Sequence, residues 1–200
     1  MSCMTDSRRA LLADMAGVYR VCLQTGSSGA DATAKYTDPE LLGHVYGGAY
    51  LAGQLELARV VVDEGGVAGY ILGALDTRAF EAWCGANWWP GLRERYPLGS
   101  ATGADAELVA LIHEPERVPD AIVAEYPSHL HIDLLPRTQG QGLGRTLMDG
   151  LAARLAERGS PGIHLGVARD NERAIAFYTH LGFGELERTE GAIIMGRRLT

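Results

Sequence analysis

The chain predicts an α/β (α+β) domain built on a mixed sheet, and three observations predict it. Helix-period and strand-period segments follow one another through 200 residues in the order αα-ββ-α…-β-α-β-α-β-β. A strand that ends at Leu134-Leu135-Pro136 passes through a glycine-dense turn straight into a leucine-striped helix. The apolar fraction is 46%, enough to build a sizeable core in one domain over 1–200.

Each element has a local reason. Leu11, Leu12, Met15, Val18, Tyr19 and Cys22 recur at helical spacing and predict a helix over 7–24 with Ser7 as its cap. Asp38-Pro39-Glu40 reads as a helix start, with a capping aspartate and then a proline where its missing N–H costs nothing. That helix carries Leu41, Leu42 and Val45 and stops at Gly47-Gly48. Two apolar runs, 57–62 and 67–75, flank Asp63-Glu64-Gly65-Gly66 and predict a hairpin buried on both faces. Asp76 or Thr77 then caps a helix holding Phe80 and Trp83.

The stretch 84–127 is long and proline-broken, with two short helices expected near 104–113 and 119–125. Its Trp88 and Trp89 either wall a pocket or belong to the core. Residues 129–135 form the strand before the glycine turn. Alternation puts Leu130, Ile132 and Leu134 on one face and His129, His131, Asp133 and Leu135 on the other. Leu143, Leu147, Leu151 and Leu155 lie four apart on the helix over 143–158. A strand at 163–167, a helix at 172–181 and closing strands at 184–187 and 192–196 complete the order.

Composition narrows the function. A net charge of −7 argues against sequence-independent nucleic-acid binding. Cys3, Cys22 and Cys84 are odd in number and widely spaced, which suits structural thiols rather than a disulfide framework or a zinc site, and no metal-ligand set stands out. No apolar leader and no membrane-length run is present, so a reducing, cytoplasmic setting away from membranes is the expectation. A homodimer is left open.

The turn at Gln139-Gly140-Gln141-Gly142-Leu143-Gly144-Arg145-Thr146 is built to cradle phosphate. Its glycines let the backbone turn tightly, and the new helix offers unpaired N–H groups and the positive end of its dipole. It is no P-loop, because no Gly-Lys pair precedes Thr146. Nor is it a dinucleotide fingerprint, because Gly140, Gly142 and Gly144 are spaced G-x-G-x-G without an acidic residue ending a second strand. A plain glycine-rich connection is the bland alternative. The spacing Gln139, Gly142, Gly144 fits a third pattern, Q-x-x-G-x-G. A second segment, 168–183, carries N-x-x-A-x-x-F-Y-x-x-x-G-F as Asn171, Ala174, Phe177, Tyr178, Gly182 and Phe183. Together, in this order, the two motifs resemble the coenzyme A signatures of the GNAT superfamily of N-acetyltransferases. The resemblance covers roughly 128–199, and the first half matches only in the order of its elements. The stretch from Tyr126-Pro127 to Gly196-Arg197 is also similar to the acetyltransferase-like domain of O-GlcNAcases and its stand-alone bacterial relatives.

That resemblance implies a mostly antiparallel mixed sheet flanked by helices, with a long helical insertion before the strand leading to the coenzyme A turn. It also implies an opening strand, for which Met1 to Asp6 is too short and polar, so that strand is expected to be missing. The activity implied is transfer of acetyl from acetyl-CoA, as cosubstrate, to a primary amine on a small molecule or peptide by direct attack. The backbone N–H of Leu134, or of Leu135 if the register is off by one, would polarise the acyl carbonyl. The pantetheine arm would lie along Leu134, Leu135 and Pro136 with Phe177 beside it, and Asn171 either binds that arm, shapes the helix entry or simply caps the helix. Gln139, Gly140 and the amides from Gln141 through Gly142, Leu143, Gly144 and Arg145 to Thr146 would hold the diphosphate. Arg137 and Arg145 either add charge there or are solvated. Tyr178 would protonate the leaving thiolate. The base is less defined: His129, His131 and Asp133 project together, either as base candidates or as a structural cluster. A degenerate module of the O-GlcNAcase-associated type, holding coenzyme A or another ligand without turnover, is the rival reading.

Overall fold

The computed structural model describes residues 6–199. Among them, seven strands form one sheet in the order β1-β2-β3-β4-β5-β7-β6. The strands are β1 (Asp6–Arg9), β2 (Arg59–Asp63), β3 (Gly66–Ala74), β4 (Ser128–Leu134), β5 (Gly162–Ala168), β6 (Gly184–Arg188) and β7 (Ala192–Arg198). All neighbours are antiparallel except β4 and β5. The helices are α1 (Met15–Thr25), α2 (Leu41–Tyr46), α3 (Gly48–Gly53), α4 (Thr77–Asn87), α5 (Trp89–Arg95), α6 (Ala104–His113), α7 (Asp120–Glu125), α8 (Leu143–Glu157) and α9 (Glu172–His180). No helix among the described residues is long and apolar enough to cross a membrane. Cys3 lies outside the described residues, and Cys22 and Cys84 are buried free thiols.

Strand alternation sorts the core into two layers. Val60, Tyr70 and Leu72 face a cluster built with α1, α2 and the 84–113 helices. Their neighbours Val61 and Ile71 face a second cluster with Leu147, Leu151 and Leu155 of α8. The expected 57–62/67–75 hairpin is β2–β3, and β3 is buried along its whole length after Gly66. The expected cap of α4 is Asp76, whose side chain accepts from the Ala79 amide at 2.8 Å.

The opening differs from the expectation in two linked ways. Residues 7–24 are not one helix, and the opening strand is present. Ser7 caps nothing: it pairs with Val61 in β1, and the chain turns into α1 only at Met15. The reason is non-local. The free edge of β2 offers a ladder to residues 6–9, and the Arg8 guanidinium grips Asp14 with two bonds of 2.7 Å, tying the strand to the helix entry. Local periodicity cannot register an edge that lies 50 residues away. Likewise α2 begins after Glu40, because Asp38 uses its carboxylate on the Glu40 amide, 2.8 Å, in a turn rather than as a cap. Helix α5, with its proline in the first turn, lies in the stretch expected to be irregular.

Candidate active site

The site begins where β4 and β5 part. Their parallel pairing is limited to Ser128↔Ile163 and His129↔His164, while β4 stays paired with β3 as far as Leu134↔Gly69. Beyond His129 the two strands diverge, and a cleft of about 960 Å³ runs through the opening. Groups from both faces of the sheet therefore meet in one space. From β4 come His131, Asp133 and Leu134; from α9 come Phe177 and Tyr178. The turn from Gln139 to Arg145 closes one end, and Tyr36, Leu42, Tyr46 and Tyr70 line the other.

The Leu135 amide donates to the Ala68 carbonyl at 2.9 Å, so it is spent on the sheet. Alternation then turns the backbone of Leu134 to the opposite edge, toward the gap. The Leu134 carbonyl confirms that direction, because it accepts from Gln139 Nε2 at 2.7 Å across the turn. Gln139 thus shapes the corner instead of reaching outward.

Gly140 and Gly142 have φ of +74° and +76°, the left-handed region that favours glycine. Gly142 caps α8, and the first bond of that helix runs from the Thr146 N–H to the Gly142 carbonyl at 3.1 Å. The amides of Leu143, Gly144 and Arg145 precede it and remain available, whereas the Thr146 amide expected to join the cradle is already used. Its hydroxyl goes to the same carbonyl, 3.2 Å. Gly144 serves packing: a Cβ there would sit 3.1 Å from the Phe177 ring. Gln141 Nε2 folds back on the Arg137 carbonyl at 2.9 Å, and Arg137 itself grips Asp63 with Nε–Oδ2 at 2.6 Å. Arg145 and Arg173 both border the cleft at the turn end. Asn171 caps α9 by accepting from the Ala174 amide at 3.1 Å.

The three polar residues of β4 separate by environment. His129 is locked. Thr77 Oγ1 donates its proton to the Pro127 carbonyl, so it accepts from His129 Nδ1 at 2.7 Å, and His129 Nε2 then accepts from the Tyr50 hydroxyl at 2.7 Å. Burial holds its pKa well below the ordinary value. His131 lies against the Tyr46 and Tyr50 rings, and burial pushes its pKa down to about 4. It is neutral at physiological pH. Burial pushes the Asp133 carboxyl up to about 6, against the hydroxyl of Tyr70, which favours the ionised form. The Tyr178 phenol is raised above its usual range, first by burial and then by the nearby Asp133 charge, and so stays protonated.

Of the two readings left open for Trp88 and Trp89, pocket wall or core, the structure takes the core: neither lines this cleft. Trp89 is core, and Trp88 Nε1 donates to the His44 carbonyl at 2.9 Å. The 84–127 stretch acts at one remove: Asp105 of α6 accepts from the Thr37 and Asp38 amides, both at 3.0 Å, and so fixes the segment bearing Tyr36. Sequence reasoning missed Tyr36, Tyr46 and Tyr70 as cleft residues. Only Tyr70 carried a signal, since it stands directly opposite Asp133 once the β3–β4 register is known. A further bond bounds the cleft. The tight turn Ser27–Ala30 puts Ser28 at φ +50°, and its hydroxyl donates to Asp170 Oδ1 at 2.7 Å, joining the α1–α2 loop to the β5–α9 loop.

A parted parallel strand pair followed by a glycine cradle and a tyrosine-bearing helix defines an acyl-CoA transferase fold. The family model of the acetyltransferase (GNAT) family matches residues 54–183, and the chain belongs to that family. Its relatives include the O-GlcNAcase of Rattus norvegicus, 31% identical over 93% of this chain; the chain spans 21% of that protein's length. The crystal structure of SsHAT superposes with a TM-score of 0.91 at 39% identity, covering 98% of each chain. A Salmonella typhimurium protein, yncA, solved with its cofactor acetyl-CoA, shares the fold at TM-score 0.58 and 16% identity, over 98% of this chain and 94% of that one. Acetyl-CoA is the cosubstrate that membership of this acetyltransferase family implies. The residues present fit it, with free amides and Arg145 at the phosphate end and an unpaired strand edge leading inward.

Proposed function

We propose that the chain transfers acetyl from acetyl-CoA to a primary amine by direct attack. The observation that carries this reading is the meeting of the Leu134 backbone, the Asp133 carboxyl and the Tyr178 hydroxyl in one cleft with the glycine turn. Asp133 takes the proton that the attacking amine must lose. The Leu134 N–H faces the acyl oxygen as it gains charge, a contribution of about 3–4 kcal/mol for one fixed donor. An ammonium first sheds one proton to solvent to become the attacking amine; Tyr178 gives its proton to the departing thiolate and is reprotonated from solvent, and Asp133 releases to solvent the proton it took. Tyr36 and Tyr46 line the cleft, and aromatic rings at its wall suit a cationic small molecule or a basic peptide side chain.

Thiol release from acetyl-CoA over a panel of amines and basic peptides tests the reading. Turnover with at least one amine, lowered about 10²–10⁴-fold in Asp133→Asn, is expected. A thermal shift with acetyl-CoA but no thiol release with any amine would favour the binding-module reading, which the O-GlcNAcase likeness motivates.

A further inference from the structure

Tyr70 is fully buried, yet its hydroxyl reaches the cleft. It donates to Asp133 Oδ2 in a very short bond, and Cys22 Sγ lies 3.1 Å from the Tyr70 hydroxyl oxygen itself. A phenol has one proton. With that proton directed at the carboxylate, the Cys22 thiol must donate to the tyrosine oxygen, so the direction of the chain is fixed: Cys22 to Tyr70 to Asp133. Burial pushes the thiol up to about 12, which keeps it a donor. Arg145 and Arg173 stand at the turn end of the cleft. The groups that interact with Asp133 itself are Cys22 and Thr25 of α1, Tyr70 of β3 and Tyr178 of α9, with His131 next but one on its own strand. None of them is a cation at neutral pH, since His131 is neutral. The carboxylate therefore has no counter-ion among them, and Tyr70 is the hydroxyl that donates to it, since the Thr25 hydroxyl donates to the Val21 carbonyl at 2.7 Å.

We propose that Tyr70 is the positioning residue of the reaction: its hydroxyl, backed by Cys22, holds the Asp133 carboxylate ionised and fixes which oxygen is left to face the amine. Oδ2 is occupied by Tyr70, so Oδ1 is the proton acceptor. This inference rests on the reading of Asp133 as base.

The test is the pH profile of kcat/KM with whichever amine turns over, read alongside a ¹³C NMR titration of the Asp133 carboxyl that needs no turnover. In Tyr70→Phe the donor is lost and the charged form is less favoured. The acid limb and the NMR titration both move upward by about one pH unit. Replacing Tyr70 by a fluorotyrosine, a stronger donor of the same shape, moves both downward. Tyr50→Phe removes a hydroxyl bonded to His129 on the same face and leaves both in place. An unmoved limb in Tyr70→Phe, a fluorotyrosine shift of the wrong sign, or an equal shift in Tyr50→Phe overturns the inference. Retained activity in Asp133→Asn instead overturns the reading beneath it, whatever Tyr70 does.

Discussion

At the scale of single residues, three polar side chains two apart on one strand have three different fates. His129 has both ring nitrogens committed, to Thr77 and Tyr50, and cannot take a proton without breaking one bond. His131 titrates near 4 and Asp133 near 6, so only Asp133 changes charge just below neutrality. A base works in its ionised form, so activity is expected to rise with pH through about 6 and to be lost as pH falls below it. Asp133→Asn keeps the shape, removes the titration and should lower kcat/KM by about 10²–10⁴-fold across that range. Steady-state kinetics between pH 5 and 8.5 reads both effects, and a His131→Asn variant that abolishes the same limb would move the role to His131.

At the scale of elements, what the sequence disclosed follows from how local the cause is. The β4–turn–α8 corner was legible because glycine, proline and leucine spacing each act within a few residues. The α4 cap and the β2–β3 hairpin were legible for the same reason. Strand β1 was not, because it exists only through an edge supplied by Val60 to Val62. Nor was the division of labour among His129, His131 and Asp133, since Tyr50, Thr77 and Tyr70 reach them from distant parts of the chain. The choice between Leu134 and Leu135 needed one hydrogen bond, from Leu135 to Ala68. The corner itself carries a prediction. Gly142 sits at φ +76° with open space where a Cβ would go, so Gly142→Ala meets backbone strain and no clash. It should cost about 1–2 kcal/mol in urea unfolding and weaken acetyl-CoA binding in calorimetry, because the free amides of α8 shift with it. Full affinity in that variant would detach the turn from the cosubstrate.

For the molecule as a whole, two hydrophobic layers share the same strands. Ile112 belongs to the layer on one side of the sheet and Leu155 to the other, both with no exposed surface. Adjacent residues Val60 and Val61, or Ile71 and Leu72, serve opposite layers, so neither layer can dissolve without disturbing strands the other needs. Ile112→Ala and Leu155→Ala are each expected to lower stability by about 2–5 kcal/mol, and each within a single cooperative transition. Two separated transitions in calorimetry would show layers that melt independently.

The Ser28–Asp170 hydrogen bond ties the α1–α2 loop to the β5–α9 loop beside the cleft, and is expected to make the trough between the parted strands a sleeve. A guest with a slim thiol arm and a bulky nucleotide enters a sleeve arm first, or waits for the fastening to let go. Ser28→Ala is expected to speed both arrival and departure of coenzyme A in stopped flow by a common factor, roughly three- to tenfold, with its equilibrium affinity unchanged. Altered affinity at unaltered rates would instead make Ser28 one of the guest's own contacts, and the sleeve would be permanently open at that seam.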